Sequence, residues 1–158
     1  IGKAYPLNKE NKMKYTYDYP MQSVCADAIV VHNDEILLIK RNTEPFKDQY
    51  ALPGGHLDLT DKNTQEAAER ELKEETGIDL SKCEVLKFTE VGTFSEINRD
   101  PRGRYISVVY SYELMYKPRL VLDPKEVKSA LWMDISDIYR GVLAFDHYEI
   151  LLKFLRSF

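Results

Sequence analysis

Glu71, Glu74 and Glu75 stand within the segment Gly54–Ile78, GGHLDLTDKNTQEAAERELKEETGI, at spacings that place them on one side of a helix. A helix turns once in about 3.6 residues, so Glu71 and Glu75 stack one turn apart. Like charges so placed repel by a few tenths of a kcal/mol per pair, roughly, which works against the helix unless a cation sits among them. A hard divalent ion suits the position, because Mg2+ and Mn2+ take carboxylate oxygens, water and substrate phosphate as ligands. The plain alternative is a solvated acidic helix face.

The surrounding residues predict a helix with a fixed start and stop. Asn63 followed three residues later by Glu66 reads as a capping box, and Gly77 before apolar Ile78 reads as a left-handed terminus. Ala67, Ala68 and Leu72 supply the core-facing contacts, and Arg70 can pair with Glu74 at i,i+4. Gly54 and Gly55 predict a diglycine turn ahead of it.

The segment resembles the Nudix box, G-x5-E-x7-R-E-U-x-E-E-x-G-U with U aliphatic, and Arg70–Ile78 match its second half position for position. The first half departs by one inserted residue, since Gly55 to Arg70 spans 70 − 55 = 15 positions, one more than the pattern allows. Counting forward from Gly55 puts the first box glutamate at Asp61. Counting back from Arg70 puts it at Lys62, and the cap at Asn63 favours that count, leaving Asp61 or Asp58 to supply the charge.

The resemblance covers the chain from about Tyr15 and implies an α/β fold, a Nudix-type α/β/α sandwich with a mixed β-sheet between helices. It also implies metal-dependent hydrolysis of a nucleoside diphosphate linked to another moiety, by attack of water on phosphorus. Such a reaction depends on positioning and charge neutralisation, and metal lowers the pKa of bound water. By this resemblance Glu71 and Glu75 are direct metal ligands, Glu74 is a further ligand or holds a water, and the Gly54 carbonyl is a backbone ligand. Arg70 orients the glutamates, the glycines let the backbone approach the metal, and the cofactor is Mg2+ or Mn2+. In the family the water-activating base often lies on a later loop. Glu126, six residues before Trp132, is the candidate, with Glu96 and Asp100 as rivals that hydrogen-bond reach to the water would decide between. The plain reading of Glu126 is an exposed loop acid.

Arg99-Asp-Pro-Arg-Gly-Arg104 holds three arginines in six residues. Their guanidinium forks suit a diphosphate, although a basic turn that balances neighbouring acids has the same composition. The run resembles a loop of the ADP-ribose pyrophosphatase group, as do ALPGG at Ala51–Gly55 and AFDH at Ala144–His147. That likeness implies cleavage of ADP-ribose to AMP and ribose 5-phosphate, with Arg102 and Arg104 binding substrate and Arg41 as a further phosphate ligand. Tyr15, Tyr17 and Tyr19 alternate before Pro20 and share one side of an extended segment. They suit stacking on a purine, with Tyr19 as the substrate contact, or packing at an edge or in a homodimer. An oxidised nucleoside triphosphate or another nucleotide sugar is the alternative substrate. A non-catalytic ADP-ribose-binding domain is the alternative class, which Lys62 keeps open.

With 158 residues and 44% hydrophobic content, one globular domain over 15–158 is expected, after a polar lead-in over 1–14. A net charge of −4 gives no bulk attraction to nucleic acid or anionic membrane, so any phosphate binding must come from local basic residues or metal, and the family resemblance implies a small nucleotide as the partner. No apolar run approaches the roughly 20 residues that span a bilayer, and a cytoplasmic location is expected. Cys25 and Cys83 predict incidental thiols, and His56 and His147 structural roles without zinc-like spacing. Ile1 in place of a methionine is expected of a trimmed chain or a piece of a longer one, such as a bifunctional relative joined to an adenylyltransferase. The end at Phe158, directly after a closing helix, is expected to leave no room for the winged helix of Nudix-like regulators.

SVCADAIVV and EILLIK predict a hairpin about His32–Asp34, Tyr50–Pro53 a short strand, and Glu84–Thr93 and Arg104–Tyr116 two further strands. Asp134–Tyr139 predicts one helical turn and Asp146–Phe158 an amphipathic helix.

Overall fold

A computed structural model describes residues 16–157, so the lead-in over 1–14, Tyr15 and Phe158 lie outside the described residues. The two apolar runs form strands β1 (Ser23–His32) and β2 (Glu35–Arg41), joined through Asn33, whose φ is 52°. They pair as a hairpin only at Val31↔Ile36 and His32↔Glu35 and then part. Into the gap run β3 (Tyr50–Ala51), bonded to β2, and β4 (Gly54–His56), bonded to β1 at Cys25, Ala26 and Asp27. The diglycine is therefore a strand and not the turn expected. It takes up the edge of β1 that β2 leaves, and the Ala28 N–H donates to the Pro53 carbonyl just before it.

On the other side β1 runs parallel to β6 (Tyr105–Leu114), which pairs antiparallel with the edge strand β5 (Val85–Phe94). A strand that the sequence reading did not identify, β7 (Val127–Asp134), lies against β2. Its VKSALWMD mixes polar and apolar residues, and long-range pairing supplies what the local pattern lacks. These described strands form one mixed seven-stranded sheet.

Alternation along β1 divides the core in two. Ala26, Ala28 and Val30 face helix α1 (Thr64–Thr76), packed with Ala67, Ala68 and Leu72. Ile29 and Val31 face helix α2 (His147–Arg156), packed with Ile150, Leu151 and Phe154. The α/β/α sandwich is thus as expected. The Asn63 side chain caps α1 by accepting from the Glu66 N–H at 2.9 Å, a contact worth about 1 kcal/mol. Gly77 ends it at φ 77°. The capping box is displaced by one residue, since the Glu66 carboxylate accepts from the Lys62 N–H and not from that of Asn63. The helical turn expected over Asp134–Tyr139 is a 3-10 turn at Ile135–Asp137.

α2 is anchored to the sheet through its first residue. Nδ1 of buried His147 accepts from the Leu52 N–H at 3.0 Å, which fixes a neutral ring protonated on Nε2. Burial, then the charges of Arg99 and Arg41, hold its pKa down from 6.5 to about 3. Between those values only the unfolded chain takes up the proton, so this contribution to stability is complete above pH 6.5 and is lost as pH falls toward 3. His147→Asn, whose Oδ1 can accept the same bond, should remove that dependence. Between pH 7 and pH 5 wild type should lose up to about 2 kcal/mol relative to the variant in urea unfolding. Parallel pH profiles would show that the histidine stays charged or exchanges protons in the folded state.

Candidate active site

The parting of β1 and β2 opens a pocket of about 270 Å³ between the start of β1, the end of β2, β4 and the acidic side of α1. Glu71 and Glu75 come from α1. Glu126 comes from the turn before β7, and one carboxylate oxygen of each lies within 4.8 Å of the others. Two backbone bonds bring that segment to the helix, Val121 N–H to the Thr76 carbonyl at 2.8 Å and Asp123 N–H to the Glu75 carbonyl at 3.3 Å, and a third, Asn42 N–H to the Glu126 carbonyl at 2.9 Å, ties it to the end of β2. Such a trio of oxygens could hold a hard divalent cation. Glu74 does not join it. It is exposed and donates nothing to the pocket, accepting instead from Arg70 Nη1 at 3.1 Å.

Glu75 is buried, and Gly54 N–H donates to its Oε2 at 3.0 Å. Burial pushes its pKa well above the usual carboxylate value against that hydrogen bond, and the charges of Glu71, Glu126 and Asp27 add to the rise. Glu71 is raised for the same first reason, opposed by Arg70. Both shifts reflect negative charge taken out of water, which Arg70 offsets only in part at Glu71.

Arg70 organises this wall. Its Nε and Nη2 bond Asp61 at 2.9 and 3.0 Å, Nη1 bonds Glu71 at 2.8 Å, and Nη2 also donates to the His56 carbonyl at 2.9 Å. One guanidinium thus ties α1 to β4 and to the intervening loop. Asp61, with a side chain only 3% exposed, stands where the forward count of the box places its first carboxylate. Lys62 is exposed, and Asp58 joins the loop through its N–H to Asp61 Oδ2 at 2.7 Å. A Cβ at Gly55 would lie 2.5 Å from Glu71 Cδ, and one at Gly54 would collide with Asp27 Oδ1 and the Ala26 carbonyl. The glycines are required by close approach.

The arginine run is only partly free for a ligand. Arg99 is gripped by Asp146 through Nε at 2.9 Å and Nη2 at 2.7 Å, and Arg102 by Asp100 through Nε at 3.0 Å and Nη2 at 2.7 Å. Arg102 lines the pocket with its guanidinium 4.5 Å from the Tyr105 ring centre. Arg104 does not reach it. The chain reverses at Gly103, φ 154°, and leaves Arg104 exposed at the entrance to β6, its carbonyl bonded to Ser23 N–H. Arg41 does line the pocket. Its Nε donates to the Pro45 carbonyl at 2.8 Å, and it has no carboxylate partner among the described residues. Tyr19 is 80% exposed in the irregular segment before β1 and is not among the pocket residues, so it is not placed to stack a base there. Of the rivals to Glu126, Asp100 is committed to Arg102 and Glu96 lies outside the lining.

Sequence reasoning missed Asp27, Phe145 and the place of His56 in the lining. Asp27 is buried beside Gly54, accepts from the Ser107 hydroxyl, and is raised to about 6 by burial against that bond. Its lone acidic position in an apolar strand, SVCADAIVV, was the available signal. Cys25, also in the lining, is pushed up to about 12 by burial and by Asp27, so it stays a thiol and not a nucleophile. Both cysteines are free, as expected.

The NUDIX domain profile matches residues 21–157. The chain is 35% identical to an ADP-ribose pyrophosphatase of Methanocaldococcus jannaschii over 99% of its own length and 88% of that protein's. It is 33% identical to the ADPR responsive transcriptional repressor NtrR of Acinetobacter baylyi, over 85% of this chain and about half, 53%, of the repressor. Among solved structures it resembles a bifunctional NMN adenylyltransferase/ADP ribose pyrophosphatase of Francisella tularensis, complexed with AMP and a Mn ion, with a TM-score of 0.76 and 29% identity over 89% of this chain and 43% of that one. A carboxylate pocket built on a box helix, in a sandwich shared with these proteins and under a profile that spans nearly all of the described residues, makes this chain a member of the NUDIX domain family.

Proposed function

We propose that this protein is a metal-dependent pyrophosphohydrolase that cleaves ADP-ribose to AMP and ribose 5-phosphate, with Mg2+ or Mn2+ as cofactor. The observation that carries the reading is the convergence of Glu71, Glu75 and Glu126 on one point, within a pocket that Arg41 and Arg102 also line. The near-full-length likeness to an ADP-ribose pyrophosphatase supports the substrate. Glu71 and Glu75 would hold the metal, and the Gly54 backbone stands beside them. A bound metal polarises the diphosphate oxygens and lowers the pKa of water. Water adds to phosphorus, the bridging P–O bond breaks, and the proton passes to Glu126, the solvent-facing member of the trio. Arg70 acts by orienting Glu71. Arg41 and Arg102 bind phosphate oxygens, and the nucleotide is the partner this pocket serves.

Substitutions at three places in the site test the assignment. Glu75→Gln keeps the acceptor for Gly54 N–H but offers a neutral amide to a hard cation, and kcat should fall by at least about a hundredfold with the fold intact by circular dichroism. Near-wild-type turnover at saturating metal would remove this helix from the site.

Asp61→Asn weakens the fork on Arg70, so activity or metal affinity should drop by about tenfold, a cost near 1.4 kcal/mol. Lys62→Ala should stay within twofold. Equal, small effects would mean that the first half of the box has no role in this chain.

Arg102→Lys should raise KM for ADP-ribose, because an ammonium cannot hold Asp100 through a fork and at the same time present a further N–H to the pocket, whereas Arg104→Lys should match wild type. In a panel that includes oxidised purine triphosphates, wild-type kcat/KM should be highest for ADP-ribose. A preference for a triphosphate would overturn the substrate and leave the hydrolase reading in place. Tight binding of ADP-ribose without turnover would favour a sensing domain, the reading that the likeness to the repressor supports.

A further inference from the structure

Phe145 occupies a position that its backbone disfavours. Its φ is 53°, in the left-handed region where a non-glycine residue costs about 1 kcal/mol or more. Phe46, with φ 61°, meets it edge to face at 4.8 Å between ring centres. Two phenylalanines in a conformation suited to Gly or Asn need side-chain contacts that offset the strain.

Beside Phe46, the His147 ring at 5.4 Å and the apolar cluster of Ile39, Ala51 and Val127, those contacts include two cations. The Arg41 guanidinium carbon sits over the Phe145 ring at 4.9 Å from its centre, and that of Arg102 sits over it at 5.5 Å. Both distances fall within the range at which the negative ring face attracts a guanidinium. The ring cannot drift, because its neighbours are fixed on both sides. Ala144 N–H donates to the Tyr50 carbonyl at 2.7 Å, Asp146 grips Arg99, and His147 accepts from Leu52 N–H. Phe145 therefore brings two like charges to a single pocket against one aromatic ring. Arg41 keeps its terminal nitrogens free of carboxylates among the described residues, and Arg102 keeps Nη1 outside its fork to Asp100.

We propose that Phe145 is a positioning residue that sets Arg41 and Arg102 as a pair for the oxygens of the substrate diphosphate. The inference rests on the pyrophosphohydrolase reading above, but it concerns the diphosphate and not the group attached to it. It assigns ground-state binding to this ring and leaves the metal wall untouched.

The test compares wild type, Phe145→Leu, Phe145→Tyr, Arg41→Ala and the Arg41→Ala/Phe145→Leu double variant, each with its Tm and its metal-activation midpoint. Leucine preserves apolar bulk and the left-handed strain but removes the ring face. KM for ADP-ribose should rise about fivefold, with kcat and the metal midpoint within twofold of wild type. Tyrosine should restore KM to within twofold, and in the Arg41→Ala background the leucine change should cost less than in wild type, the remainder passing through Arg102. Should Phe145→Leu unfold, Phe145→Asn, which suits a positive φ, carries the same comparison. If wild type prefers another nucleoside diphosphate derivative, the comparison is made on that compound, and if it turns over none, the Kd of ADP-ribose replaces KM. Failure on ADP-ribose alone thus strikes the substrate reading and not this one. An unchanged KM or Kd in the leucine variant, a loss confined to kcat, or the same penalty with and without Arg41 would each overturn the positioning role.

Discussion

Negative charge crowded into a half-buried cleft is the constraint around which the rest of this structure is arranged. Two carboxylates 4.8 Å apart repel by about 3 kcal/mol at an effective dielectric near 20, and Glu71 and Glu75 approach at least that closely with Glu126 beside them. The helix cannot relieve this by turning. Ala67, Ala68 and Leu72 are sealed against the sheet, while Asn63 and Gly77 fix its ends. Relief comes instead from donors aimed at the acids: Gly54 N–H on Glu75, and Arg70 on Glu71, Glu74 and Asp61. That compensation is incomplete, because Glu71 and Glu75 still hold their protons more tightly than ordinary glutamates. The shortfall is what a divalent cation would supply.

The parts legible in the sequence are those whose causes are local. Asn63, Gly77 and the apolar positions of α1 lie within one segment, and the β-branched runs of β1, β2 and β6 declare themselves by composition. What stayed hidden depends on residues far apart. β4 exists because β1 and β2 separate beyond Val31, and β7 because β2 offers it an edge, facts that no window of a dozen residues contains. The arginine run shows the same limit for the site. Three clustered guanidiniums read as a clamp, but Arg99 meets Asp146 from the start of α2 and Arg102 folds back on Asp100, two residues away. Arg41, unremarkable in sequence beyond its place at a strand end, lines the pocket with no carboxylate partner among the described residues.

The inserted residue in the box shows how a loop can satisfy two competing registers. Counting from the glycines places the first carboxylate at Asp61, and counting from the helix places it at Lys62. The structure honours both ends. Asp58 N–H bonds Asp61 Oδ2 and Thr60 N–H bonds Asp58 Oδ1, a tight loop that delivers Asp61 to Arg70. Asn63 then caps the helix from its own register, and Lys62 is the residue spilled to solvent between them.

The two walls of the pocket carry opposite charge, and on the hydrolase reading this links the binding of metal and substrate. A diphosphate entering without a cation meets Glu71, Glu75 and Glu126, whose repulsion opposes the attraction of Arg41 and Arg102. A cation entering alone satisfies the acids but leaves Arg41 half-buried, beside Arg102, with no anion; burial and that neighbour already lower its hold on its proton. Each ligand removes the charge that penalises the other, so the affinity of each must rise by the same factor when its partner is bound. On that reading, the separation of a cationic wall from an anionic one is what leaves both available to a metal-bound diphosphate.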